Sequence, residues 1–297
     1  IIDIFLYPEN EMDISHLFSS NDYGSRLEGL RRFVNEHLYL HYTKFLSKGG
    51  CEKLLFKNLT YLADTTIKAA LKIVADDLKI NEIPLTVLGL GKMGCSRMAP
   101  LSDVDLIFIF DDKTEHELAH KIVRRLRTVL TAKLSEGVAY ELDMRLRPSG
   151  RSGPPAVKFK SFKYHHHNKA HNWEHVALAN SRIIAGDEKL GSAIKHLCTE
   201  IISKKRDNEQ FLHDTKCMWE LVKSQRVQYV SVKHFNSKLR DGGLMQAEYI
   251  KNCHNIMGLR DFELNEAIAF WSKIQVWERL LNLTGKLLED VPEFYKG

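Results

Sequence analysis

Apolar residues recur at helical spacing through the first eighty residues of the chain. One stripe begins near Ser25 and a second covers residues 54–78, with Gly49-Gly50 between them. Spacings of three and four residues place apolar side chains on one face of a helix. The stripes contain Leu27, Leu30, Phe33, Val34 and Leu38, then Leu55, Leu59, Leu62, Thr66 and Ala69. We therefore predict an N-terminal helical segment over residues 1–80.

The pattern changes at Pro84 to short apolar runs that are typical of buried strands. "PLTVLGL" (84–90) and "VDLIFIF" (104–110) are rich in β-branched and aromatic residues. Residues 115–134 form an amphipathic helical pattern, and "VAYELDMRLR" (138–147) alternates like a third strand. These runs predict a compact α/β core over residues 81–160.

Helical periodicity returns after Ser161 and continues to the end of the chain. The predicted segments are 160–184, 188–204, 208–230, 244–257 and 262–290, which together form a C-terminal helical bundle over residues 161–297. The expected fold class is α+β and mostly helical, with a small mixed-sheet core flanked by helical segments and this bundle.

Composition narrows the class of protein further. The 297 residues are 44% hydrophobic and 27% charged, and no apolar run is long enough to span a bilayer. Five scattered cysteines without a C-x-x-C pair suit the reducing cytoplasm. Ile1-Ile2-Asp3 has no features of a signal peptide, and we expect it to be the cut end of a longer polypeptide.

Three glycines after the first strand form the pattern G-x-G-x-x-G. Gly89, Gly91 and Gly94, with Asp111 about twenty residues on, match a dinucleotide-binding turn. That turn requires a full crossover helix before the next strand. Here Pro100 limits the intervening helix to about two turns. The spacing therefore disfavours a dinucleotide site.

Asp103 and Asp105 stand two residues apart at the start of the second strand. Side chains at this spacing point to one face of a strand, where two carboxylates repel. A hard divalent cation removes that repulsion. The alternative is that one carboxylate caps the strand and the other is solvated.

The third predicted strand places four charged residues on one face. They are Glu141, Asp143, Arg145 and Arg147. If this strand neighbours the second, Asp143 completes a cage of three carboxylates, and the arginines meet phosphate oxygens. Such a set suits phosphoryl or nucleotidyl transfer. A solvated edge-strand face is the alternative.

Two further clusters are interpreted as polar surface. The run His165-His166-His167, with His171 and His175, would place three histidines at i, i+4 and i+8 on one helix face, but no cysteine or close carboxylate accompanies them. The basic run of Lys121, Arg124, Arg125, Arg127 and Lys133 lies on the outer face of an amphipathic helix, without interleaved aromatic residues. With a net charge of only +5, no nucleic-acid partner is expected.

Several motifs resemble the nucleotidyltransferase superfamily and, more narrowly, the glutamine synthetase adenylyltransferase family. They are "GLGKMG", "SDVDLIFIFD", "YELDMRLRPSGRSGP" and "WEHVALANSRIIAGD", followed by a diverged "SKLRDGGLMQAEYI". The resemblance covers roughly Ser25 to Trp277. The "RLRPSG" and "WEH" segments are more similar to the family's C-terminal, adenylylating half than to its N-terminal, AMP-removing half.

The resemblance implies a nucleotidyltransferase core that moves AMP from ATP to a tyrosine hydroxyl of glutamine synthetase. Asp103, Asp105 and Asp143 match the catalytic carboxylates that bind Mg²⁺ or Mn²⁺, and Asp143 is also the candidate base or orienting group. The matched nucleotide-binding residues are Gly91, Lys92, Gly94, Ser102, Arg145 and Arg147. A P-II type regulatory protein is a further implied partner.

The chain departs from the family pattern at five positions. Serine is expected at Leu101, glutamate at Arg97, arginine at Asn180, and aspartate at Asn236 and Gln246. These changes leave alternatives open: a module that removes AMP by phosphorolysis, or a degenerate module that docks on glutamine synthetase without turnover. A nucleotidyltransferase for a small molecule or tRNA is disfavoured by the match in the helical regions.

Overall fold

The computed structural model describes residues 12–47, 50–226, 236–259 and 262–283. The predicted class is confirmed: the fold is α+β and mostly helical, with a small five-stranded mixed sheet. In the ranges described, every helix is too short or too polar to cross a membrane. The helices are α1 (Tyr23–Ser47), α2 (Glu52–Leu78), α3 (Gly91–Gly94), α4 (His116–Thr131), α5 (Phe159–Asn168), α6 (Asn172–Leu178), α7 (Glu188–Ser203), α8 (Asn208–Arg226), α9 (Leu244–Ile256) and α10 (Phe262–Leu283). The strands are β1 (Leu85–Gly89), β2 (Val104–Phe110), β3 (Leu142–Asp143), β4 (Val157–Lys158) and β5 (Arg182–Gly186).

The first two helices follow the predicted apolar stripes. The buried face of α1 includes Leu27, Leu30 and Phe33, and α2 packs against α1, α4 and β5. Two buried threonines on α2, Thr60 and Thr66, donate their hydroxyl protons to the carbonyls four residues earlier. Their polar atoms are therefore satisfied inside an apolar interface.

The sheet has the order β3-β2-β1-β5, and β4 also pairs with β2. β1 and β2 are antiparallel, with pairs running from Leu85 and Phe110 to Gly89 and Leu106. Every residue of these two strands except Asp105 is buried, which explains their continuous apolar sequence. The antiparallel pairing excludes the parallel crossover that a dinucleotide-binding turn requires.

The third predicted strand is much shorter than its alternating pattern indicates. Only Leu142 and Asp143 pair with β2, and Arg145 already lies in a turn. The Asp143 carboxylate accepts the backbone N–H of Arg145 at 2.8 Å. An aspartate that bonds the N–H two residues on offers the chain a turn in place of a sheet ladder. The prediction of one strand face shared by Asp143, Arg145 and Arg147 is therefore wrong.

The prediction of helix over residues 160–184 is wrong at two places. The chain leaves α5 at Asn168, begins α6 at Asn172 and then forms β5. β5 runs antiparallel to β1, with Thr86 opposite Gly186. The histidines of that prediction are divided between α5, the residue that precedes α6, and α6 itself.

The described residues divide into two compact units. One contains those of 1–98, 102–170 and 180–201, and the other contains those of 99–101, 171–179 and 202–297. The second unit includes a buried cluster of Val176, Phe211 and Cys253. The helices predicted for it are present as α8, α9 and α10, although residues 227–230 and 284–290 of those predictions lie outside the described residues. The proposed domain boundaries at residues 80 and 160 stay predictions.

Candidate active site

Pairing between β2 and β3 brings the three predicted carboxylates together. Asp105 lies directly opposite Asp143 in the parallel register, and Asp103 precedes β2 by one residue. One carboxylate oxygen from each residue lies within 4.8 Å of the others. Asp103 is exposed, whereas Asp105 and Asp143 are half-buried. The expected neighbour relation of the second and third strands is thus confirmed.

These three aspartates fit a hard divalent cation. Carboxylate oxygens are the ligands preferred by Mg²⁺ and Mn²⁺, and a cation offsets the repulsion among three closely placed negative charges. In the described part of the chain this is the one such group of histidine, cysteine and carboxylate ligands. The predicted histidine stripe does not form a second group.

A tight glycine turn lies directly against this acidic cluster. Gly91 begins α3 with a φ of +51°, and a side chain there would contact the Asp105 carboxylate oxygen. The Leu90 N–H donates to the Asp105 carbonyl at 2.9 Å. A side chain at Gly94 would overlap the Asn180 carbonyl oxygen. Both glycines are therefore required because backbone and carboxylate groups approach them closely.

Arg182 supports this turn from β5, a role that no sequence motif indicates. Its Nε donates to the Met93 carbonyl at 2.7 Å, and its two terminal nitrogens donate to the Asp64 carboxylate at 2.8 and 2.7 Å. The bidentate pair links β5 to α2, and the bond to Met93 links both to the glycine turn. Only a known pairing between β1 and β5 could have revealed the role.

Asp143 is held by Arg145. The guanidinium Nε donates to the Asp143 carboxylate at 2.7 Å, in addition to the backbone bond from the same residue. Partial burial alone would raise the pKa of Asp143, but the hydrogen bonds and charge of Arg145, together with the charge of Arg151, lower it below its usual value. Asp143 is thus a negatively charged carboxylate beside the positively charged guanidinium of Arg145.

Arg147 binds the backbone of the following loop. Its guanidinium donates to the carbonyls of Met144, Arg151, Gly153 and Pro154, with the Pro154 contact at 2.9 Å. These bonds organise residues 148–154 around one side chain. The predicted contact between Arg147 and a nucleotide stays a prediction.

Lys92 and Ser102 lie on the segments that border the acidic cluster. Lys92 is half-exposed in α3, and Ser102 is buried immediately before Asp103. All of the site residues predicted from the sequence therefore lie in the first compact unit of the chain. The nucleotide contacts of Lys92 and Ser102 stay predictions.

A pocket of about 450 Å³ opens beside Asp103 and Asp143. Four arginines line it, at positions 127, 145, 147 and 151, against three carboxylates, at positions 103, 141 and 143. Arg127 is exposed, which confirms the predicted solvated helix face, and it also lines this pocket.

Two departures from the family pattern lie in hydrogen-bonded turns of the second unit. The Asn236 Oδ1 accepts the backbone N–H groups of Lys238 and Leu239 at 3.1 and 2.9 Å. The Gln246 Oε1 accepts the Gly242 N–H at 2.8 Å. Because an amide oxygen accepts such bonds as a carboxylate does, the replaced aspartates are not needed for these turns.

The chain is similar to curated proteins over most of its length. A family model described as glutamate-ammonia ligase adenylyltransferase matches residues 12–197. A bifunctional glutamine synthetase adenylyltransferase/adenylyl-removing enzyme from Agrobacterium fabrum is 32% identical over 259 residues, which are 82% of this chain and 26% of the relative. Proteins with the same name from Brucella suis biovar 1 and Chromobacterium violaceum are each 30% identical, over 85% and 78% of this chain and 28% and 26% of those relatives.

This chain spans about a quarter of the length of those relatives. The match of the family model nevertheless covers more than half of the chain and includes the glycine turn and all three aspartates. The chain therefore belongs to the glutamate-ammonia ligase adenylyltransferase family.

Proposed function

We propose that this chain is an adenylyltransferase module that moves AMP from ATP to a tyrosine hydroxyl of glutamine synthetase. The observation that carries the proposal is the convergence of Asp103, Asp105 and Asp143, with carboxylate oxygens within 4.8 Å of one another. The family membership and the names of the relatives support the choice of substrate.

The aspartates would hold Mg²⁺ or Mn²⁺, which when bound neutralises charge on the triphosphate. The tyrosine oxygen forms a bond to the α-phosphorus of ATP. The bond from that phosphorus to the bridging oxygen breaks, and pyrophosphate leaves with the electron pair. Asp143 orients the hydroxyl, and the phenolic proton leaves through this carboxylate to water.

Other residues of the site would position the nucleotide. Gly91 and Gly94 keep the turn free of side chains, so that its backbone reaches the phosphates. Lys92 and Ser102 supply polar groups around them, whereas Arg145 holds the Asp143 carboxylate and Arg147 keeps the neighbouring loop in place. All five cysteines are free thiols, which supports a cytoplasmic setting. Regulation by a P-II type protein stays a prediction.

The names of the relatives favour a second candidate reaction at the same site, because they include adenylyl removal. In that reaction an oxygen of inorganic phosphate attacks the phosphorus of AMP-tyrosine. The tyrosine oxygen leaves with the electron pair and takes up a proton, and ADP is released.

Transfer of label from α-³²P-ATP to purified glutamine synthetase tests the proposal, with Mg²⁺ or Mn²⁺ present. We expect wild-type protein to label the synthetase, and the Asp103→Asn variant to lose at least about a hundredfold in rate, because a charged metal ligand is removed. Glu82→Gln, which removes an exposed carboxylate from a turn, is the matched control and should retain activity.

The three candidate functions give different results. Labelled synthetase supports adenylylation. No label, but release of ADP from AMP-synthetase in phosphate buffer, identifies the removing activity instead. Absence of both reactions would support the third candidate, a degenerate module that docks on glutamine synthetase without turnover.

A further inference from the structure

The two sides of the aspartate cluster are built differently. On one side the glycine turn follows β1 and meets Asp105. On the other side, beyond β2 in the strand order, Asp143 on β3 faces the arginine-lined pocket. Among the described residues that line this pocket are Asp103 and Asp143, but neither Asp105 nor the glycine turn.

Two of the four pocket arginines already have partners within the chain. Arg145 binds the Asp143 carboxylate, and Arg147 binds backbone carbonyls. Arg127 and Arg151 are exposed, and neither guanidinium donates a hydrogen bond to the described residues, although the charge of Arg151 also acts on Asp143. These two guanidinium groups are therefore available to an incoming anionic group.

The local structure explains why Arg127 reaches this pocket. The N–H groups of Ala139 and Tyr140 donate to the Leu130 carbonyl at 3.0 and 3.1 Å, which fixes the end of α4 beside the segment that leads into β3. Arg127 lies one turn earlier on α4 and is carried to the same side. Arg124 is also exposed on α4 but does not line the pocket, so it provides a matched control.

Displacement at phosphorus places the attacking oxygen roughly in line with, and opposite to, the leaving group. If the phosphates of ATP occupy the glycine-turn side, then the acceptor enters from the arginine side. This step rests on the proposed function.

We infer that the pocket beside Asp143 receives the acceptor tyrosine, and that Arg127 and Arg151 bind carboxylates of the residues that flank it. The acceptor is thus a tyrosine in an acidic segment. Glu141, the exposed carboxylate that also lines the pocket, opposes this binding and limits its strength. Charge complementarity of this kind selects partners and accelerates encounter more than it raises affinity.

Direct binding of labelled peptides tests the inference without requiring catalysis. Two fluorescein-labelled dodecapeptides would be compared by anisotropy, one with a central tyrosine flanked by aspartates and one with asparagines in their place. We expect the wild-type chain to prefer the acidic peptide, with an affinity that falls as salt screens the charges.

The variants give effects of opposite sign. Arg127→Ala and Arg151→Ala should each weaken acidic-peptide binding by about threefold to fivefold, as expected for one exposed ion pair. Glu141→Gln should strengthen it, and Arg124→Ala should leave it unchanged. Circular dichroism confirms that each variant is folded.

Three results would overturn the inference: equal binding of both peptides, no binding of either, or an equal loss in the Arg124→Ala control. A weaker affinity for a fluorescent ATP analogue, with peptide binding unchanged, would instead assign the arginines to the triphosphate. Each of these readouts is independent of AMP transfer, so failure of the proposed function would be recognised separately.

Discussion

At the scale of single residues, His41 shows how burial controls ionisation. It lies on the buried face of α1 with 7% of its surface exposed, and neither ring nitrogen has a hydrogen-bond partner among the described residues. Burial lowers the pKa of His41 to about 4, and the nearby charges of His37 and Lys44 act in the same direction. The imidazole is therefore neutral in the folded protein at neutral pH.

This ionisation makes stability fall as the pH decreases. Below a pH of about 6.5 the unfolded chain binds a proton at His41, whereas the folded chain does not until the pH approaches 4. Between pH 7.5 and 5 we expect a loss of about 2 kcal/mol in the free energy of unfolding from this residue. Urea unfolding at both pH values measures it.

Substitution separates His41 from the other histidines. His41→Leu should remove most of the pH-dependent loss, whereas His196→Gln, at an exposed position on α7, should retain it. An unchanged pH dependence in His41→Leu would contradict the assignment.

At the scale of elements, a buried arginine joins α1 to the end of α4. The Arg31 side chain is fully buried and donates to the carbonyl oxygens of Leu27, Val129, Ala132 and Gly137. The Val129 and Ala132 carbonyls belong to the end of α4, where the last helical acceptors need partners. A cation at that end also suits the helix dipole.

Replacement of Arg31 should therefore be strongly destabilising. Arg31→Met keeps much of the volume but leaves several carbonyls without donors, and we expect a loss of about 3 kcal/mol. Arg32→Met is the neighbouring control: that side chain is exposed and lies 4.0 Å from the Glu136 carboxylate, so its loss should be below about 0.5 kcal/mol. Thermal or urea unfolding compares them, and similar losses in both variants would refute this role for Arg31.

Local sequence determines some elements more fully than others. β1 and β2 were predictable because both of their faces are buried, so the apolar run is continuous. "RIIAG" in β5 has no such signature, and its conformation depends on pairing with a strand far away in sequence. The early end of β3 depends on one side-chain bond from Asp143, which alternation of residue types does not reveal.

At the scale of the whole molecule, cation binding should raise the free energy of unfolding. An ion that binds only the folded chain adds about 2.7 kcal/mol when its concentration is a hundred times its Kd. For a chain of this size we expect Mg²⁺ or Mn²⁺ to raise Tm by roughly 5 °C. Differential scanning fluorimetry with and without the cation measures the shift.

The shift should depend on the aspartate cluster. Asp105→Asn should abolish it, since this variant removes one of the three carboxylates. Glu82→Gln should retain it in full. The same shift in Asp105→Asn would mean that the cation binds elsewhere.

The predictable part of the site is its acidic centre. Asp103 and Asp105 were identified from their spacing, and Asp143 from its strand, because a sheet brings such positions together. The contact of Arg182 with the glycine turn and the position of Arg127 in the pocket were not predictable. Each depends on which segments meet in space: β5 beside β1 for Arg182, and the end of α4 beside β3 for Arg127.

The position of β5 in the sheet also constrains how the protein is made. β1 ends at residue 89, but its partner on the outer edge begins only at residue 182. While the ribosome synthesises the chain, one edge of β1, a strand that is fully buried in the folded protein, stays unpaired until β5 emerges. Unpaired apolar edges recruit other chains, so a nascent or truncated polypeptide that stops near residue 160 exposes an aggregation-prone surface. The sheet is therefore complete only after Gly186 has left the ribosome.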